Sequence, residues 1–101
     1  MSFRLFPSKR FLKSLKRYQR GGKIDVVQAA EEVTQLLSAC DSRAQYVLHQ
    51  RWGDHALKGN KAGIRELHLG MDDLLLYSID EETSSIELID MTNHESLREK
   101  K

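Results

Sequence analysis

Three of the four histidines, His55, His68 and His94, fall in or beside the half of this 101-residue chain that reads as sheet, and Asp72 follows His68 by four residues. An imidazole both takes and gives protons near neutral pH, so several of them converging with a carboxylate on one sheet face would suit general acid-base work on a phosphodiester. Spacing alone does not show convergence, and for each histidine singly a surface or hydrogen-bonded structural place is the commoner outcome. Other chemistries are less well supplied. There is no HExxH, no cysteine pair and no EF-hand loop, so a His/Asp metal site would need all its ligands from separate loops, and no metal or other cofactor is expected. The absence of GxxxxGK[ST], of GxGxxG after a strand and of GxSxG removes nucleotide hydrolysis and serine chemistry. Cys40 stands alone and can form no internal disulfide, in keeping with a reducing, cytoplasmic location.

The elements that must carry these groups can be read from periodicity. Ser2 to Phe6 alternates weakly and Pro7 stops it, as in a short first strand. Ser8 is a helix cap for a segment with Phe11, Leu12, Leu15 and Tyr18 on one stripe, and Gly21-Gly22 ends it. Asp25 opens a second helix whose Val26, Ala30, Val33, Leu37 and Cys40 recur at three and four. Ala44 to Asn60, with Trp52, reads as a polar, ordered loop. Gly63 to Leu69 alternates, with Arg65, Leu67 and Leu69 on one face and Ile64, Glu66 and His68 on the other. Leu74 to Ile79 is an apolar run suited to a central strand, and Ser85 to Met91 follows after a turn, leaving a charged tail from about residue 93. The expectation is a single α+β domain over residues 1–101 in the order β-α-α-β-β-β, with an antiparallel sheet covered on one face by the helix hairpin. Function is left to the other face, where His68 and Glu66 project.

Composition narrows the classes further. The longest apolar runs are only a few residues, against the ~20 that a membrane span needs, and the N-terminus lacks a signal peptide's apolar region. Residues 1–24 hold eight basic side chains and no acid, whereas the rest sets eight basic residues against all fifteen acids. That division points to a polyanionic partner near the N-terminus, although a solvated outer helix face would read the same way.

Taken in order, Asp54-His55-Ala56-Leu57-Lys58-Gly59-Asn60, Gly63-Ile64-Arg65-Glu66-Leu67-His68, Asp72 with Leu74-Leu75-Leu76-Tyr77, and Thr92-Asn93-His94-Glu95-Ser96-Leu97 make a pattern. It is DH-x-L-x-G, G-x-R-x-x-H, D-x-x-L-x-Y and T-x-H-x-x-L, and with the basic hairpin before it the chain resembles the YafQ branch of the RelE/ParE toxin superfamily. The resemblance implies a RelE-like fold and the toxin of a type II toxin-antitoxin pair. It further implies a metal-independent endoribonuclease, an mRNA interferase that cuts mRNA on the ribosome by attack of the substrate's own 2′-OH. The family's functional positions map onto His55, His68, Asp72 and His94. His94 and His68 would share the base and acid roles, Asp72 would orient or charge an imidazole, and His55 would help hold the scissile phosphate. Partners would be an antitoxin, ribosomal RNA and mRNA. The alternative on the same fold is a protein that binds without cutting, a gyrase poison or an inactive relic held by an antitoxin.

Three positions differ from the pattern. Asp73 stands where the family often has Trp, Asp90 where an Arg is usual, and Arg98 where a Phe often ends the chain. Losing one aromatic and reversing one charge would shift codon preference, move phosphate contact to Lys58, Lys61 or Arg65, or make a weak enzyme. For Arg65, an ion pair with a neighbouring acid is as good a reading as phosphate contact, and for Trp52 and Tyr77 packing is favoured over base stacking. Lys13, Lys16 and Arg17 on the first helix are the expected contacts to ribosomal RNA.

Overall fold

The chain runs β1 (Arg4–Pro7), α1 (Lys9–Arg20), α2 (Ile24–Ala39), α3 (Ser42–Trp52), β2 (His55–Ala56), β3 (Arg65–His68), β4 (Asp73–Asp80) and β5 (Ser85–Asn93). These elements belong to a computed structural model that describes residues 2–39, 41–57 and 63–93. The strands make one sheet in the order β1-β5-β4-β3-β2. This is the expected α+β architecture, with three corrections.

The first is α3, which occupies much of the stretch expected to be loop. Asp41 caps it by accepting from the Ala44 amide at 2.8 Å, and Gly53, at φ 62, ends it in the left-handed conformation. Between these caps only Ala44 and Leu48 are buried, so the apolar stripe is too narrow to stand out among Arg43, Gln45, His49, Gln50 and Arg51. The second is β2, a two-residue strand on the edge beyond β3. The third concerns direction: β1 pairs in parallel with β5, from Arg4 opposite Ser85 to Pro7 opposite Leu88, so the sheet is mixed. The helices carry the chain to the far edge, and the antiparallel series β2 to β5 returns it beside β1 with β5 running the same way.

The helix-facing side of the sheet holds the core. Phe11, Val33, Leu37 and Leu48 from the helices meet Leu67, Leu75, Tyr77, Ile86 and Met91 from the strands. On α1 the buried side chains are Phe11, Ser14 and Tyr18, while Leu12 stays 44% exposed, so the expected stripe is rotated. A polar seam causes the rotation. Ser8 accepts from the Phe11 amide at 3.0 Å and donates to the Ile89 carbonyl at 2.7 Å. Ser14 Oγ donates to Asp90 Oδ1 at 2.5 Å, and Arg10 Nε lies 3.3 Å from Asp90 Oδ2. Asp90 thus ties α1 to β5. Asp73 has a similar duty: its Oδ1 accepts from Tyr18 Oη at 2.9 Å and lies 3.6 Å from Lys23 Nζ. Burial first, then the bond to Asp73, hold the Tyr18 phenol far above its ordinary range, so it remains a donor. Two of the three departures from the family pattern are therefore structural; Arg98 lies outside the described residues. Among the described residues no helix is long and apolar enough to cross a membrane.

Candidate active site

The ladder pairs β3 with β4 through Glu66 opposite Leu76, Leu67 opposite Leu75 and His68 opposite Leu74. Leu67 and Leu75 point into the core, so Glu66 and His68 share the face turned away from the helices, as the alternation predicts. β2 adds His55 directly opposite Glu66. The result is a tight group. His55 Nε2 lies 2.9 Å from Glu66 Oε1, His68 Nε2 lies 3.9 Å from the same oxygen, and the two imidazoles stack with centroids 5.5 Å apart.

Glu66 is the least expected member. It is only 5% exposed, and its Oε2 is buried with no hydrogen-bond partner among the described residues. A buried carboxylate is costly unless a cation or donors face it, which here are the two imidazoles. His55 Nδ1 is also 2.8 Å from the Gly53 carbonyl. Both of its ring nitrogens therefore meet oxygens. Gly53 serves twice. Besides its left-handed φ, a Cβ there would come within 2.7 Å of His68 Nδ1, so glycine alone lets the second ring approach.

Two nitrogens and a carboxylate, with ligand atoms all within 4.8 Å of one another, also make a donor set suited to a divalent transition metal. The Gly53 carbonyl on the far nitrogen of His55 supplies the outer support such ligands usually have.

Of the sequence-derived residues, His55 and His68 are brought together. Asp72 lies exposed in the turn between β3 and β4, with Leu69 bonded back to Asp73 across it. His94, Lys58 and Lys61 lie outside the described residues. Arg65 is turned to the opposite face, where its Nε and Nη2 donate to Asp54 at 3.2 and 3.1 Å. Arg65 is thus held in an ion pair with Asp54, on the face away from His55 and His68. Tyr77 is buried, as expected from packing, and Trp52 is half-buried against the core. Lys13, Lys16 and Arg17 lie exposed on α1, which packs against β5, remote from the β2/β3 edge. Arg17 Nη2 also donates to Ser14 Oγ at 3.3 Å. What sequence reasoning missed was Glu66 as a site member. The signal was present, because its place in the alternation beside His68 leaves an acid on the functional face.

A five-stranded mixed sheet with three helices is the α+β fold of the small RelE-like toxins. The protein-family description "Bacterial toxin of type II toxin-antitoxin system, YafQ" matches residues 3–99, and the chain belongs to that family. Among solved structures, a metal-bound toxin from Helicobacter pylori is 30% identical, with a TM-score of 0.78, covering 96% of this chain and 99% of its own. The E. coli DinJ-YafQ toxin-antitoxin complex gives 20% identity, coverage of 96% and 98%, and a TM-score of 0.76. The archaeal RelE-RelB complex from Pyrococcus horikoshii OT3 gives 17% identity, coverage of 92% and 96%, and a TM-score of 0.67. Comparison with curated protein sequences gives no match.

Proposed function

We propose that this toxin is an mRNA endoribonuclease acting on the ribosome, without a metal, through the His55, Glu66 and His68 group. The observation that supports it most is the pairing of two imidazoles across one buried carboxylate on the face away from the helices. In the reaction the substrate's 2′-OH attacks the adjacent phosphorus and loses its proton to a base. The P–O5′ bond breaks, an acid protonates the leaving 5′ oxygen, and a 2′,3′-cyclic phosphate remains. His68 and His94 share the base and acid roles. Asp72, four residues beyond His68, orients or charges an imidazole. His55, with Glu66 behind it, presents positive charge to the phosphate, where charge builds in the transition state. Lys58 and Lys61 would add phosphate contact. Purified protein incubated with programmed ribosomes should generate new mRNA 3′ ends bearing cyclic phosphate, and free mRNA should stay intact. Phenanthroline, which removes transition metals and spares ribosomal magnesium, should leave the rate unchanged. No ribosome-dependent cleavage would overturn the reading, and loss of activity with phenanthroline would overturn its metal independence.

The basic α1 is proposed to dock on ribosomal RNA. Each phosphate contact adds a salt-dependent increment to binding. Lys13→Glu with Lys16→Glu, both at exposed positions, should weaken ribosome sedimentation binding and flatten its salt dependence. Adding Arg17→Glu should deepen the loss, although it also disturbs Ser14. Unchanged association would remove α1 from the interface.

The partner is an antitoxin, as in the DinJ-YafQ and RelE-RelB complexes. Its docking place is proposed to be the groove of about 300 Å³ between β1, α1 and α2, where Leu5, Leu12, Leu15 and Val27 leave an apolar floor beside the basic helix. An amphipathic acidic segment, ordering on contact, suits that floor and that charge. Leu12→Asp should abolish co-purification with the protein encoded by the adjacent reading frame. Retention of the complex would place the antitoxin elsewhere.

A further inference from the structure

The strand that carries His55 is two residues long and sits at the sheet edge. Beyond its pairing with Glu66 and Arg65, among the described residues the bond from Leu57 N to Ile64 O, 2.9 Å, continues it. Such an edge holds its register weakly, and a slip of one residue would turn His55 to the wrong face. The residue before it, Asp54, sends its side chain the other way, towards α3. There Asp54 Oδ1 accepts from Tyr77 Oη at 2.6 Å and from Arg65 Nε at 3.2 Å, and Oδ2 accepts from Arg65 Nη2 at 3.1 Å. Arg65 stands in the ladder between Ala56 and Tyr77, so one carboxylate fastens the β2 corner to both β3 and β4. A backbone bond from Asp54 N to Leu48 O, and a contact of 3.3 Å between the His49 ring Nδ1 and the Asp54 carbonyl, secure the same corner to α3.

We propose that Asp54, Arg65 and Tyr77 are positioning residues for the site on the opposite face: together they fix where His55 stands against Glu66 and His68. This rests on the reading above for its link to cleavage, but the positioning itself is a property of the fold. The Asp54 carboxylate is 13% exposed and Tyr77 is 1% exposed, so the network is screened little by water. A bidentate guanidinium with a phenol on the remaining lone pair restricts the carboxylate in both direction and tilt. Burial, then the bond to Asp54, raise the Tyr77 pKa, so the phenol keeps its proton and its bond throughout the working pH range. None of the three side chains lies in the His55, Glu66 and His68 group. Their effect on the reaction therefore passes through the place of His55.

The test uses Tyr77→Phe, which removes one donor and keeps the ring, and Asp54→Asn, which keeps shape and removes the charge. The first readout is the ¹H–¹⁵N ring spectrum of His55, whose bonds to the Gly53 carbonyl and Glu66 give it a distinctive signature. Both variants are expected to shift these signals towards those of a solvent-exposed imidazole, Asp54→Asn more than Tyr77→Phe. The second readout is cleavage on ribosomes. The kcat should fall by about 10- to 100-fold with KM little changed, because binding groups elsewhere are untouched. Asp54→Glu, which restores the charge at altered length, should recover part of the ring signature. If Asp54→Asn does not fold, Tyr77→Phe alone decides. Folded variants whose His55 spectrum matches the parent's would overturn the proposal. A shifted spectrum in a protein whose parent never cuts RNA would sustain the positioning role and refute the nuclease reading.

Discussion

His68→Ala is expected to lower single-turnover cleavage on ribosomes by about 10²- to 10⁴-fold, the usual share of one acid-base group, while the protein stays folded. The side chain is 36% exposed, stacks on His55 rather than on the core, and projects from the face opposite Leu67. Removing it opens space beside Gly53. Glu66 keeps the closer contact, His55 at 2.9 Å. His94→Ala is expected to behave alike if the two residues share the proton transfers. Tyr46→Ala, at an exposed position on α3, is the control that should cut as the parent does. His49 is unsuited to that purpose because its ring contacts the Asp54 carbonyl. Folded His68→Ala protein that cuts at the parent's rate would remove His68 from the chemistry and favour the toxin that binds without cutting.

Leu75→Ala is expected to cost about 2 to 5 kcal/mol of stability, the largest effect on the fold among these substitutions. Leu75 is in β4 at the middle of the sheet, wholly buried, with Leu67 and Met91 opposite it on either side and each fully buried as well. Those neighbours are held by their own ladders, so the site cannot collapse to refill the space. Urea unfolding should show a lower midpoint at an unchanged slope. His68→Ala, by contrast, removes a partly buried side chain that lies outside the core and should cost less than Leu75→Ala does. A loss below about 1 kcal/mol at position 75 would mean that the core relaxes around the gap.

Of the strands that hold the site, β3 was legible in its alternation of residue types and β4 in its apolar run, whose Leu74 to Tyr77 are buried on both faces, whereas the two-residue β2 was too short to leave a pattern. β3, β4 and β5 fall where the alternation at Gly63 to Leu69 and the apolar run from Leu74 indicate, and His68 projects on the predicted side. The α1 and α2 boundaries follow Ser8, Gly21-Gly22 and the Val26 to Leu37 spacing for the same kind of reason. α3 escaped because it buries one narrow line, Ala44 and Leu48 with Trp52 beyond, although the Asp41 and Gly53 caps were there to be read. The parallel partner of β1 had no local sign, since pairing across the whole chain leaves none in a window of a few residues. Asp54, Arg65 and Tyr77 were quoted as pieces of a family motif, yet their joint task depends on three strands meeting. No pattern of types along the sequence expresses that. Asp73 and Asp90 looked like losses from a nucleic-acid surface until their partners, Tyr18 and Ser14, were seen.

The parallel contact between β1 and β5 has a consequence for how the toxin comes into being. Ser8 bonds to Ile89, 81 residues later, and the α1 seam is completed by Asp90. A nascent chain holds its N-terminal strand and basic helix outside the ribosome long before their sheet partner has been made. Closing so long a loop is slow and has no favourable contact to reward it until the last strand arrives. The hairpin of α1 and α2 must therefore wait with its apolar side unburied, a state open to capture by another chain. Assembly of the complete sheet thus waits for β5, the one strand that pairs with both β1 and β4.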